Sequence, residues 1–385
     1  MEAENYGIKT LADKYTVIYE SPDAQKISVY TPALVKCPNG RLVATFDING
    51  SGMNEIPGPK AKRWPHEHNQ CWIRTSNDYG KTWQQRAALP LFHATPFVAG
   101  NSLYLLGHSG DLAIAQSNDW GETWQGPFFL TTGQIWTGHT HNVIYTNNCI
   151  YIPMERYVRS MWRGLAPVLM RGCIDADLTR QENWTFASEL VFEDAVNTAE
   201  LDFFGVPFFS TEPDKPSFPA PGREMTPAGW LEPNVVRITD PDHYWYDPQG
   251  KTFHLLLRSH LGVTGYAALA KVIEQGNMPG TGAMTTAIET VPSGKRIMFL
   301  PCPGGQMKFS IIYDEPSKRY WLLSTQATDS MTRIERLPAD RYNLPNNERR
   351  RLQLHFSKNL VDWCFAGGSS RSGRKSIASL CRYDC

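Results

Sequence analysis

The sequence predicts an all-β protein of the β-propeller class. Three observations lead to this prediction: a composition rich in aromatic and turn-forming residues, an eight-residue phrase that occurs twice, and a strand-turn-strand unit that recurs five times. The 385 residues include 12 Trp, 16 Tyr, 17 Phe, 30 Gly and 27 Pro. Aromatic side chains favour strands, whereas Gly and Pro favour turns.

The charge balance argues against two classes of partner. Lys and Arg together number 38, as do Asp and Glu, so the formal net charge is zero. Binders of nucleic acids or anionic membranes usually carry a positive field, so neither partner is expected. The N-terminal phrase MEAENYGIKT is polar and acidic, unlike a secretory signal. We therefore expect a cytoplasmic protein, or a secreted or periplasmic one if the N-terminus is incomplete.

The eight cysteines are scattered and form no C-x-x-C pair, which favours free thiols in a reducing compartment. The sequence also lacks a phosphate-binding Walker loop, a G-x-G-x-x-G phrase after a strand and a G-x-S-x-G elbow. We expect no cofactor and no metal.

The repeated phrase predicts a hairpin tip. It reads SNDYGKTW at residues 76–83 and SNDWGETW at 117–124, with weaker copies at 175–184 and 357–363. Asp and Asn bind their own backbone in turns, Gly adopts positive φ, and the closing Trp begins the returning strand.

Apolar strand-turn-strand units are readable at residues 32–47, 95–109, 141–155, 243–259 and 310–325. About four strands repeating at such intervals predict a β-propeller. Five units plus closure of the ring predict six blades. Seven is the alternative, because the long loops 50–70 and 205–229 leave room for a degenerate unit. Loops of this length are commonly functional, and we expect at least one to wall a binding cleft.

We assign residues 1–14 to an N-terminal arm, 15–365 to the propeller and 366–385 to an irregular C-terminal tail. The tail is rich in Ser, Gly and basic residues and lacks strand alternation. The last blade is therefore expected to be incomplete, unless residues 15–19 supply its missing strand.

The repeats resemble the Asp-box, or bacterial neuraminidase repeat, of the sialidase superfamily. The phrases YTPALVKCPNGRLVATFD, WLEPNVVRI and KFSIIYDEPSKRYWLLS also resemble sialidase-like propellers labelled exo-alpha-sialidase, over about residues 30–365. This resemblance implies the sialidase type of propeller and a glycan or oligosaccharide as partner. Classical sialidases open with Arg-Ile-Pro, whose arginine clamps the substrate carboxylate; here the phrase is Tyr30-Thr31-Pro32. The departure argues against sialic acid as substrate.

Polar residues occupy the predicted axis-facing ends of the inner strands, where a packing strand would carry Val or Ile. The expected catalytic residues are His139, His141 and Glu232. His139 and His141 lie two apart, so on a strand they share a face, and metal binding or structural hydrogen bonding remain alternatives. Glu232 has apolar neighbours suited to a general acid or base, although structural pairing with an arginine is the alternative. The expected substrate-binding residues are Thr31, His93, Asn142, Asn234, Arg258 and Lys308.

The resemblance implies a carbohydrate-active enzyme that removes a terminal, acidic sugar, and these residues are the candidates for its acid-base chemistry. The same Tyr, His and Arg set would also suit a uronate-specific polysaccharide lyase acting by β-elimination. A third class, a non-catalytic glycan-binding propeller, agrees with the missing Arg-Ile-Pro arginine.

Overall fold

The computed structural model describes residues 15–62, 68–196, 217–220, 223–225, 228–259, 265–328, 332, 336–337 and 351–370. Its strands form five antiparallel sheets of at least four strands each, which we call blades I to V. The first strands of all five line one central channel, the arrangement of a β-propeller. The all-β prediction is confirmed. Helical segments are short: Ser51–Glu55, Gln181–Asn183 and Phe192–Ala195.

The blades follow one another along the chain. Blade I comprises Ser28–Lys36, Leu42–Asn49, His68–Ser76 and Gln84–Leu89, with Ala61–Lys62 beside the third strand. Blade II comprises Phe92–Ala99, Ser102–Ser109, Asp111–Ser117 and Gln125–Phe129. In blade III, Trp136–Thr137 and Ile144–Thr146 both pair with Cys149–Tyr157 and together form the interrupted first strand. Cys149–Tyr157 is the second strand, followed by Leu165–Cys173 and Trp184–Phe186. Blade IV comprises Trp230–Val236, Thr252–Ser259, Tyr266–Glu274, Met284–Ala287 and Phe299–Pro301. Blade V comprises Ser310–Asp314, Arg319–Thr325, Arg351–Ser357 and Cys364–Ser370. Two short pairs lie outside the blades, Ser217–Ala220 with Arg223–Met225 and Glu289–Thr290 with Arg296–Ile297.

The blade count differs from the prediction of six, since the described residues form five. The last of these is complete, because its fourth strand continues through Ser370, past the boundary expected at residue 365. Residues 15–19 form no strand; Tyr19 instead stacks on Phe46 of blade I at 5.4 Å between ring centroids. The arm 1–14 and residues 371–385 of the tail lie outside the described residues.

Apolar layers join neighbouring blades. Separate buried clusters lie between blades I and II, II and III, III and IV, and IV and V. A fifth cluster covers the other face of blade I, where Ile18 and Ile27 pack on Phe46 and Ile48. Within the described ranges, no cluster joins blade V to blade I. The hydrophobic free energy is therefore distributed between the sheets, rather than concentrated in one central core.

The repeated phrases form matching turns between the third and fourth strands of blades I and II. In blade I, Ser76 Oγ donates to Asp78 Oδ1 at 2.8 Å, and the same carboxylate accepts both the amide and the hydroxyl of Thr82 at 2.9 and 2.7 Å. Ser117, Asp119 and Thr123 repeat these bonds in blade II. The weaker copy at residues 357–363 also closes a turn, between the last two strands of blade V.

One predicted hairpin pairs differently. We expected residues 243–259 to be two adjacent strands, but the partner of Thr252–Ser259 is Trp230–Val236. Residues 243–247 form successive turns, in which the amide of Trp245 donates to His243 Nδ1 and Asp247 Oδ2 accepts the amide of Lys251. The prediction of a turn at residues 247–250 is confirmed, whereas the prediction of a strand before it is wrong.

The first long loop folds back onto blade I, since Gln70 Nε2 donates to the carbonyls of Pro57 and Pro59 at 2.9 and 3.0 Å. Most of the loop 205–229 lies outside the described residues. Over the described part of the chain, no helix is long and apolar enough to cross a membrane. The six cysteines described there, at positions 37, 71, 149, 173, 302 and 364, are free thiols.

Candidate active site

Polar side chains collect at one end of the central channel, which we call the mouth. Here the first strand of each blade begins and the second strand ends. The second-strand residues occupy matching positions, because the strand pairing sets Asp47 opposite Tyr30, His108 opposite Phe92, Glu155 opposite Thr137 and Arg258 opposite Leu231. The mouth residues are Thr31, Asp47, His93, His108, Glu155, Glu232, Arg258 and Lys308.

Three first strands share the same irregularity at the mouth. Thr31, His93 and Glu232 have left-handed backbones with φ of 46°, 53° and 56°, and each lies in a β-bulge where the pairing register shifts. Left-handed geometry is costly for a residue with a Cβ, most of all for a β-branched one such as Thr31. Strain repeated at one end of three blades is typical of a functional site.

On the blade I side, Asp47 is the central buried group. Its Oδ2 accepts the hydroxyl of Thr31 at 2.5 Å and the backbone amide of His93 at 2.7 Å. Burial raises the pKa of Asp47 to about 7, although these hydrogen bonds and the positive charge of Lys308 oppose the rise. Lys308 of the loop before blade V therefore acts on a carboxylate of blade I.

Aromatic groups surround this carboxylate. The Tyr30 hydroxyl donates to Asn69 Oδ1 at 2.5 Å, and the ring of Tyr30 meets that of His93 edge-on. His93 Nδ1 and His108 Nε2 lie 3.0 Å apart, so one imidazole donates and the other accepts. The His108 ring stacks on Phe92 at 5.3 Å.

On the opposite side, Glu232 is partly exposed and closely held. Its backbone amide donates to the carboxylate of Glu155, which is buried. Its own carboxylate lies 3.5 Å from Arg258 Nη1, and 14% of its side chain is exposed. Arg258 is fixed in turn, because its Nε donates to the carbonyl of Gln306 at 3.1 Å. The Glu232 carboxylate is therefore accessible to a ligand, with the Arg258 guanidinium next to it.

Residues 138–142, which we call the hub, cross the centre of the channel. Thr140 Oγ1 donates to the Pro32 carbonyl at 3.1 Å, the amide of His141 donates to Thr95 Oγ1 at 2.8 Å, and His141 Nδ1 lies 3.1 Å from the Pro233 carbonyl. Through Asn142, which donates to the Ile311 carbonyl, the hub also reaches blade V, so it links four blades to its own. Gly138 is required here, because a Cβ on it would lie 2.7 Å from His141 Nε2.

The two predicted histidines belong to the hub. His139 and His141 are 2% and 1% exposed, and their ring centroids lie 4.4 Å apart. Their rings meet edge-on, but residues 138–143 form no strand, so the strand on which the predicted shared face depended is not found there. The structure places them beneath the mouth rather than at its surface. Within the described residues, no group of three or more His, Cys, Asp or Glu side chains could hold a metal ion.

The two predicted asparagines join the first strands to one another. Asn142 accepts the amide of Val235 and donates to the carbonyls of Val235 and Ile311. Asn234 accepts the amide of Ile311 and donates to the Phe309 carbonyl. Both are buried and their amides are occupied by backbone partners, so the structure gives them a joining role instead of the expected contact with sugar hydroxyls.

Of the predicted residues, Thr31, His93, Glu232, Arg258 and Lys308 lie at the mouth. The sequence reasoning missed Asp47, His108 and Glu155. Each lies one or two residues before the end of a second strand, as Arg258 does, but other titratable residues share these strands, such as Arg156 beside Glu155, so the position gives only a weak signal. Beyond the hub, the channel opens on the other face as a cavity of about 890 Å³, with Lys36, Arg237 and Asp314 in its wall.

No protein-family model and no curated protein matches the chain. Solved structures with a similar fold include a protein of unknown function from Dyadobacter fermentans, 13% identical over 94% of this chain and 98% of that one, with a TM-score of 0.49. A Trypanosoma rangeli sialidase is 14% identical over 93% of this chain and 51% of that one, with a TM-score of 0.48. A Penicillium chrysogenum alpha-L-arabinanase is 14% identical over 90% and 83%, with a TM-score of 0.43. Sialidases thus stand among the similar structures, as the sequence resemblance implied, but likenesses this distant carry no argument about substrate or mechanism.

Proposed function

We propose that the protein is a carbohydrate-active enzyme, a glycoside hydrolase that removes a terminal sugar at the mouth of the propeller. One observation carries the proposal. Glu232 is a partly exposed carboxylate held in a left-handed bulge, with its amide bound by Glu155 and its side chain beside Arg258. A positioned carboxylate of this kind suits general acid-base catalysis.

In the proposed reaction, Glu232 gives a proton to the glycosidic oxygen as its bond to the anomeric carbon breaks, and regains a proton from the water whose oxygen bonds to that carbon. Sialidases depart from the usual scheme of two catalytic carboxylates, so one carboxylate of this kind is compatible with the class. The sequence alone suggested a share of the proton transfer for His141. Its burial in the hub favours a supporting role, in which the hub holds the bulges at Pro32 and Pro233 in place.

The preferred sugar in this proposal is acidic. Arg258 and Lys308 are the cations at the mouth, and an arginine fork binds a carboxylate in two places. Thr31, which stands where classical sialidases have their first arginine, donates its hydroxyl to Asp47. Among the described residues, recognition of the acid would therefore depend on Arg258 and Lys308, where classical sialidases have three arginines.

The proposal is tested by incubating the protein with sialosides, rhamnosides, arabinosides and uronate polysaccharides while reducing sugar and ultraviolet absorbance are followed together. We expect reducing sugar without new absorbance, from an acidic exo-substrate. Ultraviolet absorbance from an unsaturated product would show that the reaction is β-elimination and not hydrolysis. Tyr30 and His93 would then be the acid-base pair.

A second candidate is a glycan-binding propeller without turnover. It is favoured by the use of the Thr31 hydroxyl inside the protein, which removes a contact from the expected carboxylate clamp. Titration calorimetry separates the two candidates. A sugar that binds at micromolar to millimolar concentration and is never cleaved would support the binding protein over the enzyme.

A further inference from the structure

Two buried carboxylates at the mouth each accept a backbone amide from the equivalent position of the next blade. Asp47 of blade I accepts the amide of His93 in blade II, and Glu155 of blade III accepts the amide of Glu232 in blade IV. Asp47 and Glu155 occupy the same place in their sheets, at the end of the second strand. They are 1% and 2% exposed.

The amides that they bind are also equivalent. His93 and Glu232 are the left-handed residues of their bulges, and a bulge leaves its extra residue outside the regular ladder of hydrogen bonds. An amide left there would need another acceptor, since buried backbone groups are almost always paired. The carboxylate of the preceding blade supplies that acceptor.

We propose that Asp47 and Glu155 are positioning residues, each of which holds the bulge of the next blade and thereby directs His93 or Glu232 toward the mouth. A carboxyl oxygen that accepts the bulge amide satisfies a buried backbone group, which suits it to offset left-handed strain. Blade II accommodates its bulge through Gly107, where a Cβ would lie 2.6 Å from the Phe92 carbonyl. The proposal that these carboxylates direct a catalytic side chain rests on the proposed function. The proposal that they hold the backbone of the bulges does not.

The test compares Glu155→Leu with the wild type by amide hydrogen exchange at Glu232 and by steady-state kinetics. Without the acceptor, we expect the Glu232 amide to exchange at least about tenfold faster, since its hydrogen bond is lost. With an acidic glycoside, kcat should fall at least about tenfold while KM changes less than about twofold, because only the proton transfer loses alignment. Glu155→Gln keeps an acceptor oxygen and should restore most of both properties.

Two further variants keep the test decisive. Glu274→Gln removes a buried charge that also joins blades III and IV, but on the other face, so it should lower stability without changing exchange at Glu232. If Glu155→Leu does not fold, Glu155→Asp retains the charge but is shorter by about 1.5 Å, the length of one carbon-carbon bond, and should show the faster exchange. Unchanged exchange in both Glu155→Leu and Glu155→Asp would overturn the proposal. A wild type that cleaves no glycoside would remove the proposed function and the catalytic part of this inference, while exchange would still decide the backbone part.

Discussion

Asp78 and Asp47 show how the same residue type serves two regions of the propeller. Asp78 lies in a surface turn, where hydrogen bonds from Thr82 and Ser76 lower its pKa to about 2. Asp47 accepts comparable bonds from Thr31 and His93 at the mouth, yet burial raises its pKa to about 7. Solvation rather than the number of donors separates them. The turn residues fold the blades, whereas the mouth residues are held in an environment that changes their chemistry.

The backbone shows the same contrast. The turns reach left-handed geometry with an aromatic residue followed by glycine, Tyr79-Gly80 and Trp120-Gly121, at exposed or rim positions. The mouth uses Thr31, His93 and Glu232, which have side chains to present to a ligand. Both regions therefore hold side chains in this geometry, but those at the mouth lie within strands, in bulges that interrupt the pairing, and that position is the better indication of function.

Asp47→Asn should change how stability depends on pH. Asp47 keeps its proton in the folded protein up to about pH 7, whereas an unfolded Asp ionises near 3.8. The protonated Asp47 side chain therefore makes its full contribution to the free energy of unfolding below pH 3.8, and this contribution is lost as the pH rises to about 7. The free energy of unfolding of the wild type relative to the variant should fall by on the order of 4 kcal/mol across that window.

Urea unfolding of both proteins at several pH values measures this difference. The wild type must be compared with the variant because other groups also titrate in this range. Burial lowers the pKa of His254 and His355, which makes the free energy of unfolding rise with pH. Parallel curves for wild type and variant would show that Asp47 is ionised in the folded protein.

Glu274→Gln should separate folding from activity. Glu274 bonds to Arg171 at 2.6 Å and to the Tyr151 hydroxyl at 2.9 Å, on the face away from the mouth. Removing one charge of a buried pair costs about 3 kcal/mol, because the other charge is left uncompensated. Urea unfolding should show that loss, with kcat/KM of the folded protein unchanged. A comparable loss of kcat/KM would contradict the separation of the two regions.

Glu232→Gln should show the opposite behaviour. Loss of the proton-transferring carboxylate should lower kcat at least about 100-fold. Stability should change little, because the bulge is held through the backbone amide and the bond to Arg258 is long, at 3.5 Å. Steady-state kinetics and thermal unfolding of the same preparation check both. A variant with wild-type kcat would remove Glu232 from the proposed mechanism.

Ser117→Ala should have the smallest effect. The buried hydroxyl of Ser117 donates to Asp119 and accepts the amide of Gly121, both within the turn of blade II. Losing it should lower the free energy of unfolding by about 1 kcal/mol, with kcat unchanged. Ser76→Ala, the equivalent change in blade I, is the matched comparison, and a much larger effect at only one of them would show that the two turns are not equivalent.

The fold was largely predictable because its signals are local. The turns at 76–83 and 117–124 and four of the five hairpins follow from neighbouring residues. Two errors came from contacts between distant residues. Thr252–Ser259 pairs across a long connection with Trp230–Val236, and one blade was added to close the ring.

The mouth was half predictable for the same reason. Thr31, His93 and Glu232 could be recognised as polar residues at the starts of first strands. Asp47 and Glu155 reach the mouth only through the pairing of their second strands with the first strands and the packing of the next blade beside them. The joining role of Asn142 also depends on carbonyls more than 90 residues away along the chain.

The most direct test of the account measures kcat/KM and thermal stability side by side for Glu232→Gln and Ser117→Ala, with the acidic glycoside that the wild type cleaves. We expect Glu232→Gln to lose rate and keep its melting temperature, and Ser117→Ala to lose stability and keep its rate. Full activity in Glu232→Gln, or an equal loss of rate in both variants, would contradict it.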